Sequence, residues 1–277
     1  MTPQSGLAYE VSGKRELPAV LLLHGFMGSS ADWRGVEAAL GDRAFCIAPD
    51  LPGHGASVGL APVAYTMEET ARAVERTLDE LGARRPVVVG YSMGGRLALY
   101  LALRYPDRCA AIFLESASPG LEGDEERAVR RSADEESARW LESGDFGGFL
   151  RAWYRQPLFA SLARDEGLLR RTIEARRHND PRELARSLRG IGTGSQPSLW
   201  EELGELSVPA LAVAGGQDAR YAGISSRMAS VSPKVEPVVM PDVGHNVHDE
   251  APEEYAALLG RFLDRLSRPR GEPKIAP

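Results

Sequence analysis

Pro86-Val87-Val88-Val89-Gly90-Tyr91-Ser92-Met93-Gly94-Gly95-Arg96 is the stretch that decides how the rest of the 277-residue chain is read. An aliphatic run of strand length breaks at Gly90, and a helical period holds over residues 95–105. A serine flanked by glycines at such a break stands on a turn too tight for neighbouring side chains. The turn lifts its hydroxyl to the carboxyl edge of a sheet, above a helix N-terminus that favours developing negative charge. The bland alternative is a glycine-rich connection that contains a serine by chance, and it weakens only if partners for Ser92 exist elsewhere.

Outward from this point, residues 18–23, 44–48, 110–115, 210–214 and 236–240 form further short aliphatic runs bounded by Gly, Pro or Asp. Near-continuous hydrophobicity marks strands buried on both faces, and residues 67–81 and 252–266 carry helical periods between them. Such alternation predicts an α/β fold with a mostly parallel, doubly wound sheet. It stops between residues 120 and 200, where helix formers dominate and 14 Arg balance 14 Asp and Glu. A loop of that length without structure is improbable in a compact domain. The expected organisation is a core over 1–120 and 201–266, a helical cap inserted at 121–200, and a flexible tail at 267–277.

Composition narrows the class of protein. Thirty-three basic against 39 acidic residues give a net charge of −6, with no general attraction to nucleic acid or anionic membrane. No apolar run is long enough for membrane insertion, and the first ten residues lack the layout of a signal peptide, so the cytoplasm is expected. Cys46 and Cys109 sit in apolar runs and read as small core residues. Only Lys14, Lys234 and Lys274 are lysines, so arginine is the default cation and an isolated one means little. Oligomeric state is left open.

A nucleophilic serine needs a base, and the base needs an orienting carboxylate. Asp218 follows the run at 210–214 and His245 follows the run at 236–240, which places both at the same sheet edge as Ser92. The order Ser92, Asp218, His245 is that of α/β-hydrolases. Asp242 competes for the carboxylate role but is better suited to shaping the turn before His245. His24-Gly25-Phe26 follows the first run, so the backbone amides of Phe26 and Met93 are the candidate oxyanion hole. His24 and His54 read as loop-shaping residues. His245 with His248 and Asp249 hints at a metal, but no second cluster supports it, and no nucleotide-binding motif is present, so no cofactor is expected. Arg96 stands one turn below Ser92 on the same helix face. A cation there opposes the helix dipole, which suggests an anionic substrate group rather than an outward salt bridge.

The chain resembles the 2-succinyl-6-hydroxy-2,4-cyclohexadiene-1-carboxylate synthases, α/β-hydrolase-fold lyases of menaquinone biosynthesis. The likeness runs over residues 21–266. It rests on His24-Gly25-Phe26-Met27-Gly28-Ser29 with Asp32-Trp33, the elbow ending in Arg96, and Ser118-Pro119-Gly120-Leu121. It continues through Trp153-Tyr154-Arg155-Gln156-Pro157-Leu158-Phe159, Gly192-Thr193-Gly194-Ser195-Gln196-Pro197-Ser198-Leu199-Trp200, and Gly244-His245-Asn246 with His248. The resemblance implies elimination of pyruvate from a small-molecule tricarboxylate, with Ser92 as base. It also implies substrate contacts from Tyr91, Arg96, Arg130, Trp153 and Arg176, with Arg131 and Arg177 one step off the last two arginines. A serine hydrolase of an ester or carbon–carbon bond is the alternative, and a non-catalytic receptor or scaffold is a second.

Overall fold

The computed structural model describes residues 6–267, so the tail expected at the C-terminus lies, from residue 268, outside the described residues. Seven strands form one sheet: β1 (Tyr9–Ser12), β2 (Ala19–Leu23), β3 (Phe45–Pro49), β4 (Val87–Tyr91), β5 (Ala111–Glu115), β6 (Ala210–Gly215) and β7 (Val235–Met240). Their spatial order is β1-β3-β2-β4-β5-β6-β7. All neighbours run parallel except β1, which pairs antiparallel with β3. The aliphatic runs correspond to β2 through β7. β1 carries no such run, because it is a four-residue edge strand with Glu10 and Val11 exposed.

Strand alternation splits the core in two. Val20, Leu22, Cys46, Val89 and Phe113 face α1 (Arg34–Leu40) and α10 (Pro252–Ser267), which contribute Val36, Leu40, Tyr255, Leu259 and Phe262. Leu21, Leu23, Ile47, Val88 and Ile112 face α2 (Met67–Leu81), α3 (Met93–Arg104) and α8 (Ala219–Val231). Cys46 and Cys109 lie in these two separate clusters, and burial pushes both thiols up to about 12. They pack as apolar groups.

Between β5 and β6 stand four helices: α4 (Asp124–Glu142), α5 (Phe146–Trp153), α6 (Glu166–Arg176) and α7 (Pro181–Ile191). The last three each begin on an aspartate, Asp145, Asp165 or Asp180, whose carboxylate accepts first-turn amides. This layer has its own apolar cluster, with Ala138, Leu141, Phe149, Leu150, Leu184 and Leu188. Met27, from the loop after β2, is buried in that cluster and seats the helical layer over the carboxyl edge of the sheet. Among the described residues no helix is long and apolar enough to cross a membrane.

Candidate active site

Ser92 connects β4 to α3 with φ +50° and ψ −105°, a conformation that costs a non-glycine residue about 1–3 kcal/mol. Its own amide, donating to the Glu115 carbonyl at 2.8 Å, helps hold it. The flanking glycines are forced by contact. A Cβ on Gly90 would stand 2.4 Å from the Gly94 carbonyl oxygen, and one on Gly94 would stand 2.1 Å from that of Leu23.

The three residues from separate strand ends meet. The Ser92 Oγ lies 3.2 Å from His245 Nε2, and His245 Nδ1 lies 2.7 Å from Asp218 Oδ2. With its proton on Nδ1, the imidazole donates to Asp218 and leaves Nε2 to accept from the serine hydroxyl. Asp218 is fixed in turn, because its other oxygen accepts the Tyr221 amide at the start of α8. His245 and Asp218 are both buried. Asp242 sits apart from this chain of contacts: it has φ +63° and its carbonyl accepts from Gln217 Nε2.

His24 and His54 are in the loops. His24 Nδ1 donates to the Gly25 carbonyl at 2.8 Å, and Nε2 accepts the Leu51 amide at 2.9 Å. Burial lowers its pKa, so the neutral ring is the form that bridges these two loops. His54 Nδ1 contacts the Pro52 carbonyl at 3.1 Å. His248 is bound elsewhere than in a metal cluster. Its Nδ1 lies 2.8 Å from Glu115 Oε2, and its amide donates to Oε1 at 3.1 Å. Burial opposes the imidazolium, but the carboxylates of Glu115 and Asp249 outweigh it and raise the pKa to about 9. Among the described residues no group of three potential metal ligands is present.

Between sheet edge and helical layer lies a cavity of about 400 Å³, with Phe26, Ser92, Met93, Arg96, Arg130 and Trp153 in its wall. An adjoining hollow of about 50 Å³ shares Phe26, Ser92 and Trp153 and adds Tyr91, Arg176 and His245. The ring of Trp153 stacks on Phe149 and tilts against Phe26. Tyr91 is buried, and its phenol is pushed far up by that burial, so it stays neutral.

The arginines separate by their partners. Arg96 donates from Nη1 to the Ile191 carbonyl at 2.9 Å and to Gln196 Oε1 at 2.8 Å, with no carboxylate in reach. Burial, helped by the charge of Arg130, outweighs the attraction of Asp134, which makes no contact with it, and pulls its pKa down to about 10. Arg130 gives its Nε to Asp134 at 2.7 Å, while Arg131 donates to the Gly194 carbonyl and lines a different groove. Arg176 is buried and donates to Asp32 at 2.6 Å and to the Tyr154 hydroxyl at 3.3 Å. Burial disfavours both charges of that pair, yet each partner outweighs it, raising the arginine and lowering the aspartate. Arg177 pairs with Glu174 at the surface.

Asp32, Gln196 and Glu115 had no role in the sequence reading. The first two stand inside quoted motifs, and a buried polar residue within a narrow motif is the signal that could have found them. Glu115 ends an apolar strand run, where a fully buried carboxylate requires a partner.

The family described as alpha/beta hydrolase fold matches residues 18–252. A Serratia proteamaculans (strain 568) protein named 2-succinyl-6-hydroxy-2,4-cyclohexadiene-1-carboxylate synthase is 32% identical over 255 residues, 91% of this chain and 95% of that one. The solved structure of MenH from S. aureus superposes with TM-score 0.89 at 28% identity, covering 94% of this chain and 99% of that one. Protein PHYLLO, chloroplastic, of Arabidopsis thaliana is 31% identical over 283 residues, and the match spans 97% of this chain but only 16% of that protein's length.

Proposed function

The chain belongs to the α/β-hydrolase fold family and, within it, to the 2-succinyl-6-hydroxy-2,4-cyclohexadiene-1-carboxylate synthases, which are lyases, and on that premise we propose that it eliminates pyruvate from 2-succinyl-5-enolpyruvyl-6-hydroxy-3-cyclohexene-1-carboxylate. One observation carries this reading. The Ser92–His245–Asp218 chain opens on a cavity that holds the buried, counter-ion-free guanidinium of Arg96. A pocket for a neutral ester has no use for such a cation, whereas a carboxylate would restore what burial costs it.

In this reading His245 Nε2 takes the Ser92 proton, and the serine oxygen removes a proton from a ring carbon beside the succinyl ketone. The electron pair forms an enolate, whose oxygen is met by the Phe26 and Met93 amides. As the enolate collapses, a ring C=C bond forms and the C–O bond to the enolpyruvyl group breaks. The leaving enolate regains a proton, held meanwhile on His245, and departs as pyruvate with no net consumption of water. The buried Asp218 keeps the imidazole in the right tautomer and steadies its positive charge.

Arg96 and Arg130 meet substrate carboxylates from the main cavity, where planar guanidinium matches carboxylate with two parallel bonds. Arg176 presents what remains of its donors from the smaller hollow, with Tyr91 and Trp153 closing the apolar side of the ring. No resident cofactor is needed, and the cytoplasm is the matching compartment. The deciding experiment mixes purified protein with the enolpyruvyl substrate and measures pyruvate. Release by the wild type and its loss in Ser92→Ala support the reading, and ester hydrolysis without pyruvate release removes it.

A further inference from the structure

Arg220 lines the main cavity with Ser92, Arg96 and Arg130, and stands outside the stretches of sequence on which the family resemblance rests. It is exposed at the rim, two residues beyond Asp218. Its guanidinium carbon lies 5.9 Å from the centre of the Tyr221 ring, which in turn stands 4.7 Å from the ring of His245. Cation, phenol and imidazole thus run from the cavity mouth to the base. Among the described residues Arg220 makes no ion pair.

Two further facts give that position meaning. Asp218 supplies the only carboxylate among the described residues that line this cavity, and both its oxygens are engaged, by His245 and by the Tyr221 amide. The guanidiniums of Arg96, Arg130 and Arg220 therefore face a space with no free acid. Arg130 shares its charge with Asp134 through Nε and Arg176 spends its own on Asp32, so Arg96 and Arg220 are the two cavity arginines without an ion pair among the described residues. Helix placement points the same way. Of the ten α-helices described, which include the short α9 (Val247–Glu250), only α3, α5 and α8 lack an acidic residue in the first turn. α3 and α8 instead carry Arg96 and Arg220 near their N-termini, against the helix dipole, and both open on this cavity.

We infer that Arg220 is a further substrate-binding residue, which takes the carboxylate lying toward solvent while Arg96 and Arg130 hold those deeper in the cavity. The inference rests on the tricarboxylate reading above, and its test is arranged so that the two can fail separately. A plain surface arginine would be solvated and indifferent to ligand, and that is the alternative under test.

Arg220→Gln and Arg220→Lys are compared with the wild type and with Arg261→Gln, an exposed arginine of α10. Pyruvate release gives kcat and KM, and calorimetry follows binding of benzene-1,3,5-tricarboxylate as a substrate-independent probe. Arg220→Gln is expected to raise KM and to weaken tricarboxylate binding, each about tenfold, with kcat little changed. Arg220→Lys keeps part of the affinity, and Arg261→Gln changes nothing. Unchanged KM in Arg220→Gln, or tricarboxylate binding equal to the wild type, overturns the assignment. So does a wild type that does not bind the tricarboxylate. If the wild type binds the tricarboxylate but releases no pyruvate, the lyase reading falls. Weaker probe binding by Arg220→Gln then still supports Arg220 as a carboxylate contact.

Discussion

Replacing both members of the buried Glu115–His248 pair by glutamine removes the charge pair and the titrating imidazole, together with that ring's packing. The pair lies under the site: the ring of His248 stacks on Trp33 at 4.9 Å and meets the edge of Tyr91 at 4.9 Å. In the folded protein its pKa is raised to about 9 from the ordinary 6.5. A raised histidine stabilises the fold fully below pH 6.5, where both folded and unfolded forms carry the proton. That stabilisation is lost as the pH climbs through about 9, where the unfolded chain has already released its proton. At about 1.4 kcal/mol per pH unit, the shift is worth about 3 kcal/mol. Urea unfolding of the wild type and of Glu115→Gln/His248→Gln, measured at intervals from pH 6 to about 10, isolates this contribution as the difference between the two proteins. The wild type is expected to lose about 3 kcal/mol relative to the double variant over that window. A difference that stays flat with pH, or moves in the opposite direction, refutes the argument that Glu115 holds His248 as a cation.

Ser92→Ala, His245→Ala and Asp218→Asn should each lower pyruvate release by several orders of magnitude and combine far less than additively. Near-normal turnover by Asp218→Asn would transfer the orienting role, with Asp242 first to be tested. Arg96→Ala should cost about 1.5–3 kcal/mol of transition-state stabilisation, read as a fall in kcat/KM, with incomplete rescue by lysine. Removing a cation from the α3 N-terminus would by itself stabilise the helix. However, Arg96 also satisfies the Ile191 carbonyl and Gln196, so its melting temperature should fall rather than rise. Arg131→Ala and Arg177→Ala, whose side chains lie outside the cavity, should leave kcat/KM close to the wild type. Asp32→Ala strands the buried Arg176 without its counter-ion, and denaturant unfolding should show a loss of about 3–5 kcal/mol.

What the sequence disclosed follows a physical line. β2 through β7 announce themselves because a strand covered on both faces must be apolar almost throughout, whereas β1 is half-exposed at an edge and carries no such pattern. Ser92, Asp218 and His245 could be placed together because each follows a recognisable strand, and the carboxyl ends of parallel strands share one edge. Arg96 could be aimed at the site because it lies one helical turn from Ser92. The pairs that set its electrostatics were hidden for the opposite reason. Asp32 and Arg176 are 144 residues apart, Glu115 and His248 are 133 apart, and Arg96 and Gln196 are 100 apart. Such contacts depend on how the helical layer and the loops settle against the sheet, which local periodicity does not encode. A contact of the same kind separates the neighbouring Arg130 and Arg131: α4 turns Arg130 toward the cavity and Arg131 toward Gly194, 63 residues further along the chain.

An elimination at this site, with Ser92 as proton carrier, leaves a countable signature when the purified protein is incubated with 2-succinyl-5-enolpyruvyl-6-hydroxy-3-cyclohexene-1-carboxylate. One pyruvate and one conjugated cyclohexadiene are expected for each substrate consumed, with neither formed by Ser92→Ala. Consumption of simple esters with no pyruvate from this substrate, or undiminished pyruvate release by Ser92→Ala, would contradict it.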